Sequence, residues 1–219
     1  MRIGTWNLAG RWSPPHLELL TREKCDVWLL AEVHPETAIP GMQMHRTTAP
    51  MGERKTWAAI CSNADLSPAK SEPHWATVAA DIGGLTVISS VLPWRSRGPE
   101  WGGSTLAEDL RRTLDAIRAR VNETTIWGGD WNQALEGGEH AGSLDGRSQI
   151  LELLNAARLS VPTRSLGSAA PGHRSIDHIA VPMGWDVDDA YRVTAEAEGQ
   201  RLSDHDLYVI SVTPDRPSR

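Results

Sequence analysis

Arg201-Leu202-Ser203-Asp204-His205-Asp206-Leu207 is a polar knot set directly before the apolar run Leu207-Tyr208-Val209-Ile210-Ser211-Val212. An apolar run of that length belongs inside a sheet. The knot therefore stands at a strand entrance, where rigid backbone can aim an acid and an imidazole at one point. Alone, Ser-Asp-His also fits a solvated turn. What separates the two readings is whether further polar islands recur at other strand ends.

They do. Residues 2 to 8 read as a strand ending at Asn7. Pro14 and Pro15 open a helix carrying Leu17, Leu19 and Leu20, because proline suits the first helical turn. Val27-Trp28-Leu29-Leu30-Ala31 is apolar on both faces, as buried strands are, and delivers Glu32 and then His34. Residues 42 to 47, 55 to 62, 75 to 82 and 85 to 91 read as strands, with Asp81-Ile82-Gly83-Gly84-Leu85 as a hairpin turn. Pro93 to Gly103 reads as a loop. A helix is expected from an N-cap at Ser104 to about Val121, with Leu106, Leu110, Leu114, Ile117 and Val121 at helical spacing. Thr124 to Trp127 is a strand leading into Gly128-Gly129-Asp130-Trp131-Asn132. A third helix is expected from about Arg147 to Ala157, then a long loop from 160 to 175 and a strand from Ile176 to Val181. Strands come in runs and helices are few, which fits a mixed-sheet α/β (α+β) domain with helices outside.

The 219 residues suit a single domain, 1–219, and 40% apolar content suits a packed core. No apolar run approaches the ~20 residues of a membrane helix, and the start is too short and polar for a signal peptide. Cys25 and Cys61 lack Cys-x-x-Cys spacing and read as reduced core residues of a cytoplasmic protein. A net charge of −6 argues against coating duplex DNA by charge alone, yet leaves phosphate substrates open. Ten Trp and no Phe mean that tryptophan must fill much of the core.

Five islands carry the chemistry: Asn7, Glu32, Asp130-x-Asn132, Asp177-His178 and Asp204-His205. Oxygen ligands such as Glu32, Asn7 and Asp204 suit a hard cation, Mg²⁺ or Mn²⁺. Zinc would recruit more His or Cys. Asp177 falls within an apolar strand, where an unpaired acid is costly, so a histidine partner is expected. His178, on the opposite strand face, reads as structural, and Trp131 as packing into the other sheet face.

Thr5-Trp6-Asn7, Leu29-Leu30-Ala31-Glu32-Val33, Gly129-Asp130-Trp131-Asn132, Ser175-Ile176-Asp177-His178 and Ser203-Asp204-His205 resemble, in order, the motifs of the endonuclease/exonuclease/phosphatase superfamily, which includes exonuclease III-like and deoxyribonuclease I-like proteins. The resemblance runs from Asn7 to His205. It implies a four-layer α/β sandwich of two packed mixed sheets flanked by helices. It implies that Glu32 is the principal Mg²⁺ ligand, with Asn7 and Asp204 in the same cluster. Asp130 would orient and deprotonate water, Asn132 would bond the phosphoryl group or that water, and Asp177 would hold His205 against a phosphate oxygen. Two departures stand out: Ala31 where many relatives carry Gln, and Val91 where many relatives carry His or Tyr. Ser90 or Arg95 are candidates to replace the latter. Arg95 and Arg97, with Trp94, form a loop able to stack a base and grip a phosphate.

The expected activity is hydrolysis of phosphodiesters, as a nuclease or phosphodiesterase on a phosphate-ester substrate such as nucleic acid. The alternatives are a phosphomonoesterase on a small or lipid head-group phosphate, and a binding module that keeps the fold without turnover.

Overall fold

The computed structural model describes residues 1–52, 54–138 and 140–214. The chain forms β1 (Arg2–Asn7), α1 (Pro14–Glu23), β2 (Val27–Val33), β3 (Gln43–Arg46), β4 (Thr56–Ser62), β5 (Ser67–Pro68), β6 (Thr77–Ile82) and β7 (Leu85–Val91). After a 3₁₀ turn at Pro99–Trp101 come α2 (Leu106–Arg118), β8 (Thr125–Asp130), α3 (Leu144–Ala156), β9 (Leu159–Ser160) and β10 (Asp177–Pro182). β11 (Asp186–Val193), β12 (Glu196–Ala197), β13 (Gln200–Arg201) and β14 (Leu207–Thr213) complete it.

Two six-stranded sheets result, ordered β11-β14-β1-β2-β4-β3 and β5-β6-β7-β8-β10-β9. Each is mixed: β1–β2 and β7–β8 pair in parallel, and the other strand pairs are antiparallel. Strand alternation separates three apolar layers. Ile3, Leu29, Ile60, Val87, Ile126, Ile179 and Ile210 fill the seam between the sheets. Trp6, Trp28 and Leu30 face outward against Leu19 and Leu20 of α1. Ile88, Trp127 and Ala180 face outward on the second sheet against Leu110, Leu114, Ile150 and Leu153 of α2 and α3. This is the expected four-layer sandwich, and the expected packing of Trp131 among the outer-layer residues holds as well.

Several local expectations need correction. Thr105, not Ser104, caps α2: its Oγ1 accepts from Glu108 N at 3.1 Å. Ser104 instead donates to the Glu108 carboxylate at 2.9 Å, so the two hydroxyls share one helix start. That helix ends at Arg118 rather than near Val121. The third helix begins a turn earlier than Arg147, because Ser143 accepts from Gly146 N at 2.9 Å and draws Leu144 to Gly146 into the helix. β11 was not expected at all. It is an edge strand carrying Asp186, Asp188 and Asp189, and acids of low strand propensity hide the pattern. Cys25 and Cys61 are free and buried, and burial pushes both thiols up to about 12.

Candidate active site

One end of the seam collects the polar residues. The C-terminal ends of β1, β2 and β8 and the N-terminal ends of β10 and β14 all open there. Along β8 and β10, Ile126, Gly128, Asp130 and Asp177, Ile179, Val181 alternate onto the seam, so the two aspartates emerge from it opposite each other. The glycines of Gly128-Gly129-Asp130 make this possible. A Cβ on Gly128 would lie 2.6 Å from Leu29 Cδ1 of the other sheet, so a side chain there would drive the sheets apart. Gly129 adopts φ +122, and a Cβ there would lie 2.1 Å from Ser90 O.

Glu32 follows Ala31 on β2 and by alternation should face α1. Its left-handed backbone, φ 49, breaks the alternation and turns the carboxylate to Asn7. Asn7 bridges two acids: its Nδ2 donates to Glu32 Oε1 at 3.2 Å and to Asp130 Oδ2 at 2.9 Å. The other Asp130 oxygen accepts from Asn132 N at 3.0 Å. Asn132 also has a left-handed backbone, and its Nδ2 donates to Leu92 O at 3.0 Å.

The polar knot before β14 is tied to β1. Ser203 Oγ donates to Asn7 O at 2.7 Å and accepts from His205 N at 3.1 Å, while Trp6 Nε1 donates to His205 O at 3.1 Å. His205 Nδ1 then lies 2.7 Å from Asp177 Oδ2, the expected pair. Its Nε2 is 3.9 Å from Asp130 Oδ2. The Asp177 Oδ1 atom is buried with no hydrogen-bond partner among the described residues.

These contacts set the charges. Burial alone would lower the His205 pKa, but the carboxylates of Asp177, Asp130 and Asp204 outweigh it and raise it to about 10. Burial first, and the Asp177 charge second, push Asp130 above the carboxylate range, with His205 and Asn7 opposing. Asp177 is raised by burial, against the pull of the imidazolium. His178 behaves otherwise: it is fully buried, its Nε2 contacts Gln133 O at 2.9 Å, and burial holds it down to about 4. It is a neutral structural residue, as expected.

Ligating atoms of Asp130, Asp177 and His205 lie within 4.8 Å of one another. Both carboxylates contact the His205 ring, and a divalent ion bound here would have to displace the imidazole proton. Glu32 Oε2 accepts from the Lys55 ammonium, while the neighbouring Asn7 presents its amide N–H to Oε1 and its own Oδ1 accepts from Ala9 N. Asp204 is exposed and lines a cavity of about 250 Å³ with Asp177, His205, His173 and Arg174. Among the described residues its one hydrogen bond is from Ser203 Oγ at 3.5 Å, and none joins it to Glu32.

The remaining candidates separate. Ser90 is not a phosphate contact: it faces the outer layer, fully buried, where its Oγ accepts from Trp127 Nε1 at 2.8 Å. Strand parity puts Val91, which pairs with Asp130, on the site's side instead. Arg97 is half-buried, with its guanidinium bound to the buried Asp109 at the start of α2. Arg95 is exposed, and its Nε donates to Gly142 O at 3.0 Å. Trp94 is half-buried in an aromatic group, 6.2 Å from the rings of both Trp57 and Trp101. That group packs on Ala31 and Val91. Lys55 and the anchoring of Ser203 were missed. Ser203 sits in the quoted knot, but Lys55 lies in a charged loop that carries no sequence signal of its contact.

No family model and no curated protein matches the chain. Solved structures do. An AP endonuclease from Archaeoglobus fulgidus superposes with a TM-score of 0.74 at 18% identity, over 96% of this chain and 98% of its own. The 3′ phosphatase NExo from Neisseria, bound to product DNA hairpin, gives 0.72 at 16% identity, over 97% and 99%. An endonuclease/exonuclease/phosphatase protein from Beutenbergia cavernae gives 0.61 at 17% identity, over 96% and 70%. The class is thereby defined at the level of architecture: an α/β sandwich of two mixed sheets. In particular, the chain has the fold of the endonuclease/exonuclease/phosphatase structures. No helix among the described residues is long and apolar enough to cross a membrane.

Proposed function

We propose that this protein is a Mg²⁺- or Mn²⁺-dependent phosphoesterase that hydrolyses phosphodiester bonds, with nucleic acid as the substrate class. The observation that carries the reading is the junction of two pairs at one seam end: Asn7 joins Glu32 to Asp130, and Asp177 joins His205 beside them. The neighbours described as an AP endonuclease and a 3′ phosphatase bound to product DNA support the substrate class. The free buried thiols fit a reducing, cytoplasmic setting.

Held by Glu32 and Asn7, a hard cation would polarise a nonbridging phosphate oxygen. The chain's own residues do the rest. Asp130, whose hold on a proton is strengthened by burial, accepts the proton of the attacking water. Asn7 and the Asn132 backbone fix its two oxygens. Asp177 fixes the His205 ring, leaving Nε2–H to donate to a phosphate oxygen. Loss of one such donor costs about 2.7 to 4 kcal/mol of transition-state stabilisation. Asp204 strengthens the imidazolium through its charge.

The test is hydrolysis of bis(p-nitrophenyl) phosphate, p-nitrophenyl phosphate, DNA and RNA, each with Mg²⁺, Mn²⁺ or EDTA. Diester cleavage that EDTA abolishes and that Glu32→Gln and Asp130→Ala both lose is expected. Cleavage indifferent to EDTA or to either substitution rejects the reading. Turnover of the monoester alone transfers the site to a phosphatase.

A further inference from the structure

Lys55 stands one residue before β4. Its aliphatic stem crosses Gly10, where a Cβ would lie 2.9 Å from Lys55 Cδ, so the bare glycine after Asn7 makes room for it. Its ammonium ends on Glu32 Oε2, while Asn7 holds Oε1. Glu32 is about 20% exposed at its side chain and Lys55 about 29%, so the pair sits at the mouth of the site rather than in bulk water. Three acids, Glu32, Asp130 and Asp177, crowd this end of the seam, and among the described residues Lys55 and His205 contact them there.

We propose that Lys55 is an internal counter-cation, which holds the outward oxygen of Glu32 and competes with a divalent ion for that carboxylate. The inference rests on Glu32 being the metal ligand. An ion bound at this carboxylate would lie within a few ångströms of the ammonium, so the two positive charges oppose each other and the lysine weakens ion binding. The ammonium stays tethered by its stem and continues to repel the ion. The lysine thus keeps the acids from repelling one another when the site is empty, at the expense of metal affinity. Its role is one of positioning and charge.

The test uses Lys55→Met, which keeps the stem over Gly10 and removes the charge. Mn²⁺ affinity of the metal-free protein, without substrate, is read by calorimetric titration, and the melting midpoint is read in EDTA and in Mn²⁺. Lys55→Met is expected to bind Mn²⁺ about fivefold or more tightly. It should also melt lower than the parent in EDTA and show a larger rise on Mn²⁺ addition. Lys55→Arg should keep the parent affinity. Unchanged or weaker Mn²⁺ binding by Lys55→Met overturns the proposal. Glu32→Gln separates the two layers of the argument: if it too binds Mn²⁺ like the parent, the ligand assignment itself has failed. If it loses binding while Lys55→Met is unaltered, only the role of Lys55 has failed.

Discussion

Asp130→Asn should make the metal-free protein more stable while abolishing hydrolysis. Asp130 is 3% exposed, and its carboxylate receives two hydrogen bonds, from Asn7 Nδ2 and Asn132 N. Burial and the neighbouring Asp177 raise it from 3.8 to about 7. The folded carboxyl therefore keeps its proton up to about pH 7, whereas the unfolded one loses it near 3.8. Between those values the folded state binds more protons, so its stability falls as pH rises. The full shift corresponds to a ceiling of about 4 kcal/mol lost by pH 8. The anion also supports the His205 imidazolium, which offsets part of that cost. An amide of the same shape carries no ionisation cost but turns an N–H toward one of the two donors and loses that bond, so a gain of about 1 kcal/mol at pH 8 is expected once this loss and the lost support of His205 are subtracted. Urea unfolding in EDTA at pH 5 and pH 8 measures it, with hydrolysis of a diester in Mg²⁺ read alongside. A variant that is less stable than the parent at pH 8, or that keeps the parent's loss of stability between pH 5 and pH 8, refutes the argument.

His178 sets an opposite slope. Its folded pKa near 4 lies below the ordinary 6.5, so its contribution is complete above pH 6.5 and fades as pH falls toward 4, by about 3 kcal/mol in all. His178→Gln should flatten the unfolding free energy over that window, and an unaltered slope would reject the assignment. Arg97→Ala strips the buried Asp109 of its partner and should cost about 3 kcal/mol of stability with the KM for DNA unchanged. A raised KM at full stability would restore Arg97 as a substrate contact. Ser90→Ala leaves the buried Trp127 N–H unpaired and should cost about 1 to 3 kcal/mol in urea unfolding, with kcat intact.

The sheet pattern was legible because alternation and apolar runs are local signals, and the strands that carry Asn7, Glu32, Asp130 and Asp177 were all found near their true bounds. That Asp177 needs a histidine partner was legible for an energetic reason, since an acid inside an apolar strand demands one, but that the partner is His205 was implied by the family resemblance. Strand parity was available too, but the substitute for the group absent at Val91 was sought in its neighbour Ser90, which parity sends to the other face. Arg97 and Lys55 could not be resolved. A guanidinium or ammonium in a polar loop has the same sequence signature whether it meets solvent, a buried aspartate or a site glutamate. β11 was hidden because its order comes from pairing with β14, a contact between distant residues, and not from its own acid-rich composition.

The backbone adds an independent mark of function. Among the described residues, six non-glycine positions have positive φ: Ala9, Lys24, Glu32, Asn132, Arg158 and Glu198. Lys24 is the left-handed C-cap of α1, Arg158 follows the end of α3, and Glu198 lies in the turn between β12 and β13, all ordinary places for such a bend. The other three cluster at the seam end, at the exits of β1, β2 and β8. Each costs on the order of 1 kcal/mol or more and persists only where surrounding contacts impose it. There the contacts are those of the site: Ala9 N donates to Asn7 Oδ1 at 2.8 Å, Glu32 is held by Asn7, and Asn132 N is held by Asp130. Backbone strain, the raised proton affinity of Asp130 and the unpartnered Asp177 oxygen thus fall together, while the three apolar layers carry the stability that tolerates them. A patch that only stabilised the fold would not concentrate its costs in one place; a site shaped for function would.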